Sequence, residues 1–288
     1  MSARFSDSSS SLGARAPSHA PRKRFGQNFL NAPDVIEAIV AAIAPAREDA
    51  LVEIGPGLGA LTFPLLERVA CLHVVEIDRD LAARLSRHDP ERLKVHEGDA
   101  LDFDFGRLAR DVTRERKGVR ERVLLRLAGN LPYNISTPLL FHLARFAGVI
   151  RDMHFMLQKE VVERMVAGPG SAAYGRLSVM LQYRFDLEWL LDVPPESFFP
   201  APKVSSAVAR LIPKPAEALA ARDEVMFARL VADAFSQRRK MLRNALKAWF
   251  SDQDWARVGV DPEVRAETLA AEEFVRLAND AAERGARR

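Results

Sequence analysis

The segment Asn130-Leu131-Pro132-Tyr133 follows a short apolar run and could activate an exocyclic amine. The nitrogen of an adenine amino group is a poor nucleophile because its lone pair is delocalised into the ring. If the side-chain carbonyl of Asn130 and the backbone carbonyl of Leu131 accept the two hydrogens, the nitrogen can become pyramidal. Pro132 stiffens the turn, and the ring of Tyr133 offers a stacking face worth about 1–3 kcal/mol per base. In isolation, the same four residues are equally typical of an ordinary β-turn.

A glycine-rich segment, residues 53–60, follows the first predicted strand and opens a helix. Its glycines let the backbone turn tightly and approach a nucleotide-like ligand closely. Because Gly55, Gly57 and Ala60 also fit the dinucleotide-binding pattern, this segment alone does not separate NAD from S-adenosylmethionine. A tight strand-to-helix turn without a ligand is the third interpretation.

Three carboxylates stand at the ends of successive predicted strands: Glu53, Glu76 and Asp99. Glu76 lies where a carboxylate can accept hydrogen bonds from both ribose hydroxyls, and Asp99 can accept one from an adenine amino group. Together they predict an acidic cleft, which would repel a pyrophosphate but suits the cationic sulfonium of S-adenosylmethionine. A helix cap or solvated loop residue explains any one of them, but three in succession favour a methyltransferase over an NAD-dependent oxidoreductase.

Short apolar runs of strand length alternate with segments long enough for helices. Five runs predict strands, at residues 51–54, 72–77, 93–96, 123–128 and 153–157. This alternation is typical of a parallel sheet covered on both faces, which collects its chemistry at the carboxyl ends of the strands. The runs 189–193 and 207–212 predict an antiparallel pair at the sheet edge, and Asn31 is the predicted N-cap of a helix before the sheet.

The chain divides into three predicted parts. Residues 1–21 are rich in Ser, Ala and Arg and predict a disordered tail that lacks the apolar centre of a secretory signal. Residues 22–213 predict the catalytic domain. Residues 214–288 are helical in pattern and predict a smaller all-helical domain.

Composition narrows the classes of site. With 288 residues, 48% of them hydrophobic, the chain can bury a substantial core, and no uncharged apolar run approaches the roughly 18 to 20 residues of a membrane span. Cys71 is the only cysteine, which excludes an internal disulfide and a cysteine zinc site and suits a cytoplasmic protein. The six histidines lack metal-ligand spacing, so no metal is expected.

Positive charge is concentrated in two stretches, which favours a polyanionic partner although the net charge is only +3. At about 100° per residue, a helix over 236–249 has one apolar face, formed by Leu242, Ala245, Leu246 and Trp249. Its basic face holds Arg239, Lys240, Arg243 and Lys247. The second stretch is Arg22, Lys23 and Arg24. Both stretches are candidate RNA contacts, and a solvated basic face without a partner is the alternative for the helix.

Seven segments in one order give the chain a close resemblance to the KsgA (RsmA) family of small-subunit ribosomal RNA adenine dimethyltransferases. They are 22–30 (RKRFGQNFL), 53–59 (EIGPGLG), 129–136 (GNLPYNIS), 156–160 (MLQKE), 174–178 (YGRLS), Phe198 with 200–204 (PAPKV), and 235–240 (FSQRRK). The resemblance runs almost continuously over 22–211 and returns in the last domain. Phe63, Ala201 and Ser205 stand where the family usually has Glu, Pro and Asp, which affects loop details and not the reaction.

The resemblance implies an α/β fold, a Rossmann-like class I methyltransferase sheet with a small all-helical C-terminal domain. It implies an S-adenosylmethionine site at Asn28, Leu30, Gly55, Glu76, Asp99 and Asn130. Tyr133 and Phe198 would hold the target adenine between them. The implied substrate is two adjacent adenosines in the loop of the hairpin near the 3′ end of 16S rRNA, each methylated twice within an assembling small subunit, and a monomeric enzyme is expected.

Two further classes stay open at this point. The class that dimethylates large-subunit ribosomal RNA and confers macrolide resistance shares the catalytic motifs, so the C-terminal domain and the region of Lys159 and Glu160 must discriminate. A non-catalytic ribosome-assembly factor is the other class, and that role could coexist with enzymatic activity.

Overall fold

The computed structural model describes residues 27–116, 122–237 and 239–285. The predicted tail 1–21 and the basic residues Arg22, Lys23 and Arg24 lie outside the described residues. Within the described ranges the chain forms nine strands: β1 Phe29–Leu30, β2 Ala50–Ile54, β3 Leu72–Glu76, β4 Leu93–Glu97, β5 Leu125–Asn130, β6 Ile150–Gln158, β7 Phe185–Val193, β8 Phe198–Phe199 and β9 Ser206–Pro213.

Helices connect these strands and make up most of the C-terminal part. Those described are α1 Pro33–Ile43, α2 Thr62–Arg68, α3 Arg79–Leu85, α4 Phe105–Glu115, α5 Ser136–Ala144, α6 Lys159–Val166, α7 Arg176–Arg184, α8 Glu224–Phe235, α9 Leu242–Ala245, α10 Asp252–Val258 and α11 Ala271–Glu283. Short 3-10 turns lie at Ala147–Val149, Pro195–Ser197, Ala216–Ala218 and Ala266–Thr268. No helix in the described ranges is long and apolar enough to cross a bilayer.

Seven strands form one sheet in the order β4-β3-β2-β5-β6-β9-β7. The first five are parallel, and β9 runs antiparallel to both β6 and β7. This confirms the predicted fold class and the antiparallel pair at the edge. The strand order reverses between β2 and β5, and in open α/β sheets such a switch point opens a crevice beyond the carboxyl ends of the strands. A separate two-stranded pair joins β1 to β8.

The central strands are buried on both faces because their sequences are apolar at consecutive positions. Leu51 belongs to the hydrophobic cluster on one face of the sheet, and its neighbour Val52 belongs to the cluster on the other. Successive side chains of a strand point to opposite faces, so such a run needs helices on both sides. The α/β layering therefore follows from the strand sequences.

A third hydrophobic cluster forms the core of the C-terminal helices, and α7 contributes to two cores. Leu177 and Leu181 pack in a sheet core, whereas Tyr174, Val179 and Tyr183 belong to the C-terminal core with residues of α8 and α11. The C-terminal core thus includes side chains that precede residue 213 in the sequence. The boundary at residue 213 stays a prediction.

Two helix predictions are wrong in detail. The N-cap of α1 is Ala32, not Asn31, and it makes no side-chain cap bond, because alanine has no side-chain acceptor; Pro33 presets the first turn instead. The predicted helix 236–249 is interrupted, since Met241 is extended and forms an isolated bridge with Arg265. Only α9 is helical in the second half of that segment. The separation into buried and exposed side chains holds except at Ala245, which is half-buried: Leu242, Leu246 and Trp249 are buried, and Arg239, Lys240, Arg243 and Lys247 are exposed.

A buried ionic cluster closes the amino-end edge of the sheet. The guanidinium of Arg126, near the start of β5, donates to both carboxylate oxygens of Asp152 at 2.8 and 3.0 Å. It also donates to Asp49 at 2.7 Å and to the carbonyls of Ile43 and Ala44 at the end of α1. This cluster, called the Arg126 cluster below, fixes α1 to the sheet.

Candidate functional site

A cavity of about 310 Å³ opens beyond the carboxyl ends of β2, β3, β4 and β5. That volume falls in the range of small-molecule sites. All six residues that the resemblance assigns to the cofactor line it: Asn28, Leu30, Gly55, Glu76, Asp99 and Asn130. The structure therefore brings these residues from five separate parts of the chain into one wall.

The glycine-rich loop connects β2 to α2 and lines the cavity. Gly55 and Gly57 have φ values of +68° and +57°, which L side chains rarely adopt. The amide of Gly55 donates to the carbonyl of Val75, and the amide of Gly57 donates to a carboxylate oxygen of Glu76. A Cβ on Gly57 would stand 3.2 Å from the ring of Phe29. Glycine is required here by backbone conformation and by close approach.

Glu76 is the last residue of β3, and each oxygen of its carboxylate accepts a hydrogen bond from a backbone amide. Its Oε1 accepts from the amide of Asp78 at 2.8 Å, and its Oε2 accepts from the amide of Gly57 at 3.1 Å. Burial raises the pKa of this carboxyl. Each carboxylate oxygen has two lone pairs, so both can still accept from a ligand hydroxyl. Asp99 lines the same wall, and its Oδ1 accepts from the amide of Leu101 at 2.9 Å.

Glu53 does not supply the negative charge that the sequence predicted for the cleft. Its side chain is 2% exposed and accepts a hydrogen bond of 2.6 Å from Thr62. Burial, aided by the nearby Glu76, raises the pKa of Glu53 to about 8. At neutral pH the carboxyl is therefore largely protonated, and this part of the predicted acidic cleft is wrong.

The loop after β5 is tied to the rest of the site at several points. The side-chain amide nitrogen of Asn130 donates to the carbonyl of Asn28 at 2.9 Å, which leaves Oδ1 of the same amide as an acceptor. The amide of Leu131 donates to the carbonyl of Met156, and the hydroxyl of Ser136 donates to the carbonyl of Pro132. Both predicted acceptor residues, Asn130 and Leu131, line the cavity on this rigid loop.

The two rings of the predicted aromatic pair, Tyr133 and Phe198, have different surroundings. Tyr133 lines the cavity, and burial raises the pKa of its hydroxyl, which keeps it neutral. Phe198 is 3% exposed, does not line the cavity and belongs to the sheet core that includes Leu30 and Met156. Because neighbouring strand residues face opposite ways, the next ring, Phe199, is 45% exposed. The placement of the target adenine between Tyr133 and Phe198 stays a prediction.

The four described basic residues of the predicted RNA-binding set are all exposed: Arg239, Lys240, Arg243 and Lys247. Arg243 forms an ion pair of 2.5 Å with Glu263, about half of whose side chain is exposed. Replacing Arg243 therefore also removes a contact within the protein.

Sequence reasoning missed two hydroxyls that shape the site. Thr62 bonds to Glu53, and Ser206 bonds to the hydroxyl of Tyr133 at 2.6 Å. Thr62 lies in α2, the helix that follows the glycine-rich loop, and this position in the sequence could have identified it as a residue near the site. Ser206 is 73 positions from Tyr133, so only the fold shows that contact.

A family model described as ribosomal RNA adenine dimethylase matches residues 18–283. The chain belongs to the ribosomal RNA adenine dimethylase family. The predicted activity class, an rRNA (adenine-N6,N6)-dimethyltransferase, is thereby confirmed, and the NAD-dependent oxidoreductase interpretation is dropped.

Curated relatives match this dimethylase over nearly their whole length. The ribosomal RNA small subunit methyltransferase A of Dechloromonas aromatica is 59% identical over 262 residues, 91% of this chain and 98% of the relative. The protein of the same name from Thiobacillus denitrificans is 60% identical over 257 residues, 89% of this chain and 96% of the relative.

Two solved structures share the fold of this dimethylase. A dimethyladenosine transferase from Plasmodium falciparum has a TM-score of 0.74 at 24% identity, covering 89% of this chain and 98% of that chain. The 23S rRNA methyltransferase ErmE has a TM-score of 0.64 at 22% identity, covering 88% of this chain and 100% of that chain. At these identities the similarity shows the fold alone, which is a class I methyltransferase fold.

Proposed function

We propose that this dimethylase acts on two adjacent adenosines in the loop of the 3′-terminal hairpin of 16S rRNA, during biogenesis of the small ribosomal subunit. The side-chain amide of Asn130 carries the proposal. Its nitrogen donates a hydrogen bond to the carbonyl of Asn28, and its oxygen remains as an acceptor for a substrate in the cavity. Relatives at 59% and 60% identity are named small-subunit methyltransferases, which supports the small subunit over the large one.

The cavity fits S-adenosylmethionine as the methyl donor. Glu76 offers acceptors for two ribose hydroxyls, Asp99 offers one for an adenine amino group, and Asn28 and Leu30 line the same cavity. S-adenosylmethionine supplies an electrophilic methyl group, which passes directly to the adenine N6 and leaves S-adenosylhomocysteine.

The protein contributes orientation to this reaction. Oδ1 of Asn130 and the carbonyl of Leu131 accept the hydrogens of the target amine and make its lone pair available. Holding the amine in that geometry makes a bimolecular reaction effectively unimolecular. The adenine N6 attacks the methyl group directly, so no side chain acts as a nucleophile. The proton lost after transfer passes to water or to a neighbouring acceptor, so no side chain is assigned as the general base.

The target base must leave its stack to reach Asn130, which costs a few kcal/mol and least in a loop. We assign stacking of the extruded base to Tyr133, which lines the cavity. A contact from Phe198 would require the ring to leave the core around β8. The exposed Arg239, Lys240, Arg243 and Lys247 are proposed phosphate contacts in a monomeric cytoplasmic enzyme.

Mapping the modified nucleotides tests the proposal. The full chain is incubated with labelled S-adenosylmethionine and with small ribosomal particles that lack the modification. Two adjacent dimethylated adenosines in the 3′-terminal hairpin are expected, and particles that are already modified serve as the control. Label in large-subunit RNA, or none in the hairpin, would refute the proposed substrate.

A further inference from the structure

The phenol of Tyr133 is tethered to strand β9 of the sheet by one hydrogen bond. Its Oη lies 2.6 Å from Oγ of Ser206, a side chain that is fully buried. Ser206 is the first residue of β9, with Gln158 of β6 and Val193 of β7 as its strand partners. Because β9 is paired on both sides, Ser206 is a rigid anchor.

The backbone bonds of the loop do not by themselves orient the Tyr133 ring. The bonds from Leu131 to Met156 and from Ile135 to Pro132 fix the main chain on either side of Tyr133. The ring still turns about two side-chain torsions, and the second of these has a broad, shallow preference in tyrosine. A bond at the phenol oxygen restricts the first torsion by fixing the position of that oxygen. It restricts the second torsion because a phenol prefers to make its hydrogen bonds in the plane of the ring, and Ser206 supplies that bond.

We propose that Ser206 is a positioning residue for methyl transfer, which it serves by fixing the plane of the Tyr133 ring. This inference rests on the proposed stacking role of Tyr133. A base that stacks on a fixed ring has its own plane fixed, so its amino group meets the acceptors of Asn130 and Leu131 in a reactive orientation. Loss of the tether leaves the stacking surface in place but lets the base rotate, which lowers kcat through orientation.

The other two tyrosines supply a matched comparison. The hydroxyl of Tyr174 donates to the carbonyl of Leu269, and the hydroxyl of Tyr183 accepts from the amide of Ala221, both in the C-terminal core. Neither residue lines the cavity. Tyr183→Phe therefore removes a tyrosine hydroxyl bond of the same kind, with a consequence for stability and none for the orientation of a base.

The test is a double-mutant cycle with Tyr133→Phe, Ser206→Ala and the double variant. All three variants keep the aromatic ring. If Ser206→Ala alone folds poorly because the Tyr133 hydroxyl is left without a partner, the double variant, which has neither hydroxyl, can still be measured. Turnover on unmodified small particles is measured at saturating S-adenosylmethionine, and cofactor affinity is measured by calorimetry. We expect about 3- to 10-fold lower kcat in each single variant, the range of one hydrogen bond. The double variant should be no slower than the singles, with cofactor affinity unchanged in all three.

The controls separate this inference from the stacking role itself. Tyr183→Phe should retain the parent kcat and melt at a lower temperature, and Tyr133→Ala should be slower than Tyr133→Phe. If Tyr133→Ala is impaired while Tyr133→Phe and Ser206→Ala turn over like the parent, the positioning role of Ser206 is wrong and stacking stands. If Tyr133→Ala turns over like the parent, the stacking role fails. Losses that multiply in the double variant would also overturn the inference, because two residues that act through one bond cannot add.

Discussion

The two edges of the parallel sheet use polar groups in opposite ways. At the amino-end edge, Arg126 donates to two carboxylates and two backbone carbonyls, all within the protein. At the carboxyl-end edge, Glu76 and Asn130 are anchored on one side by backbone groups and keep acceptors on the side of the cavity. The guanidinium of Arg126 has a partner for each of its N–H groups, whereas the groups at the carboxyl-end edge are left partly open.

This difference separates stability from function along the same strands. A buried charge with all its partners is costly to disturb, because removing one member leaves the others uncompensated. An acceptor that is held in place but not fully used is ready for a ligand. Variants at the amino-end edge should therefore change folding, and variants at the carboxyl-end edge should change binding or turnover.

The largest effect is expected at the Arg126 cluster. Arg126→Met leaves Asp152 and Asp49 buried without their main partner, and it should lower the free energy of unfolding by about 3–5 kcal/mol. Urea denaturation measures this loss. Arg151→Met is the control, since Arg151 also pairs with Asp49 at 3.0 Å but is half exposed, and it should cost at most about 1 kcal/mol. Equal losses of unfolding free energy in the two variants would contradict the distinction between the buried Arg126 cluster and a half-exposed ion pair.

The second effect is a pH dependence that comes from Glu53. Because burial raises the pKa of this carboxyl from its usual 4.5 to about 8, the folded state favours the protonated form. Its contribution to stability is fully present below about pH 4.5 and is lost as the pH rises through about 8. Glu53→Gln cannot ionise, so its stability relative to the parent should rise over that window by an amount on the order of a few kcal/mol. A difference in unfolding free energy that is constant from pH 5 to pH 9 would show that Glu53 is charged in the folded protein.

The third effect concerns the cofactor. Glu76→Ala should weaken S-adenosylmethionine binding by about 1–3 kcal/mol, the range for bonds to a charged acceptor. Glu97→Ala is the matched control, because Glu97 ends the neighbouring strand β4 but pairs with Arg79 on the surface. Calorimetry should find the parent affinity in the control. The same affinity in Glu76→Ala would take Glu76 out of the site.

The smallest effect is expected at the basic residues of the C-terminal part. Replacing Arg239, Arg243 and Lys247 with Gln should weaken particle binding mainly at low salt and leave cofactor affinity unchanged. Each lost phosphate contact lowers the slope of log affinity against log salt by about 0.7 to 0.9. Gln at Arg107 and Arg114 of α4, which pair with Asp111, should leave that slope unchanged.

An unchanged slope in the triple variant would mean that these side chains are only solvated. Recognition would then have to be sought at Arg22, Lys23 and Arg24, which lie outside the described residues.

Most of the sheet and the carboxylates at its edge were predictable because they depend on local sequence, whereas Asn28 and Leu30 followed only from the resemblance to the family. Apolar runs such as 51–54 predict buried strands wherever they occur, and carboxylates at the ends of those strands must meet at one edge. The raised pKa of Glu53 was not predictable, because it depends on burial and on the nearby Glu76. The orientation of Phe198 depends on which face of β8 packs against the core, which the sequence leaves open.

The segment 236–249 shows the same limit in a helix. Its periodicity identified the buried Leu242, Leu246 and Trp249, since alternation of apolar and polar residues reports burial. The periodicity did not show that the helix is interrupted, because the interruption comes from the pairing of Met241 with Arg265, a residue distant in sequence. Burial was readable from the pattern, whereas hydrogen bonding across the fold was not.

Single-turnover methylation by Asn130→Ala tests the open edge most directly. The variant lacks the side-chain acceptor but keeps the Arg126 cluster, so its urea midpoint should remain close to that of the parent. At saturating S-adenosylmethionine on unmodified small particles, we expect dimethylation of the hairpin adenosines to be slower by at least about 100-fold, as when one oriented polar group is removed from an active site. Methylation at the parent rate by a folded Asn130→Ala protein would contradict the role of this edge.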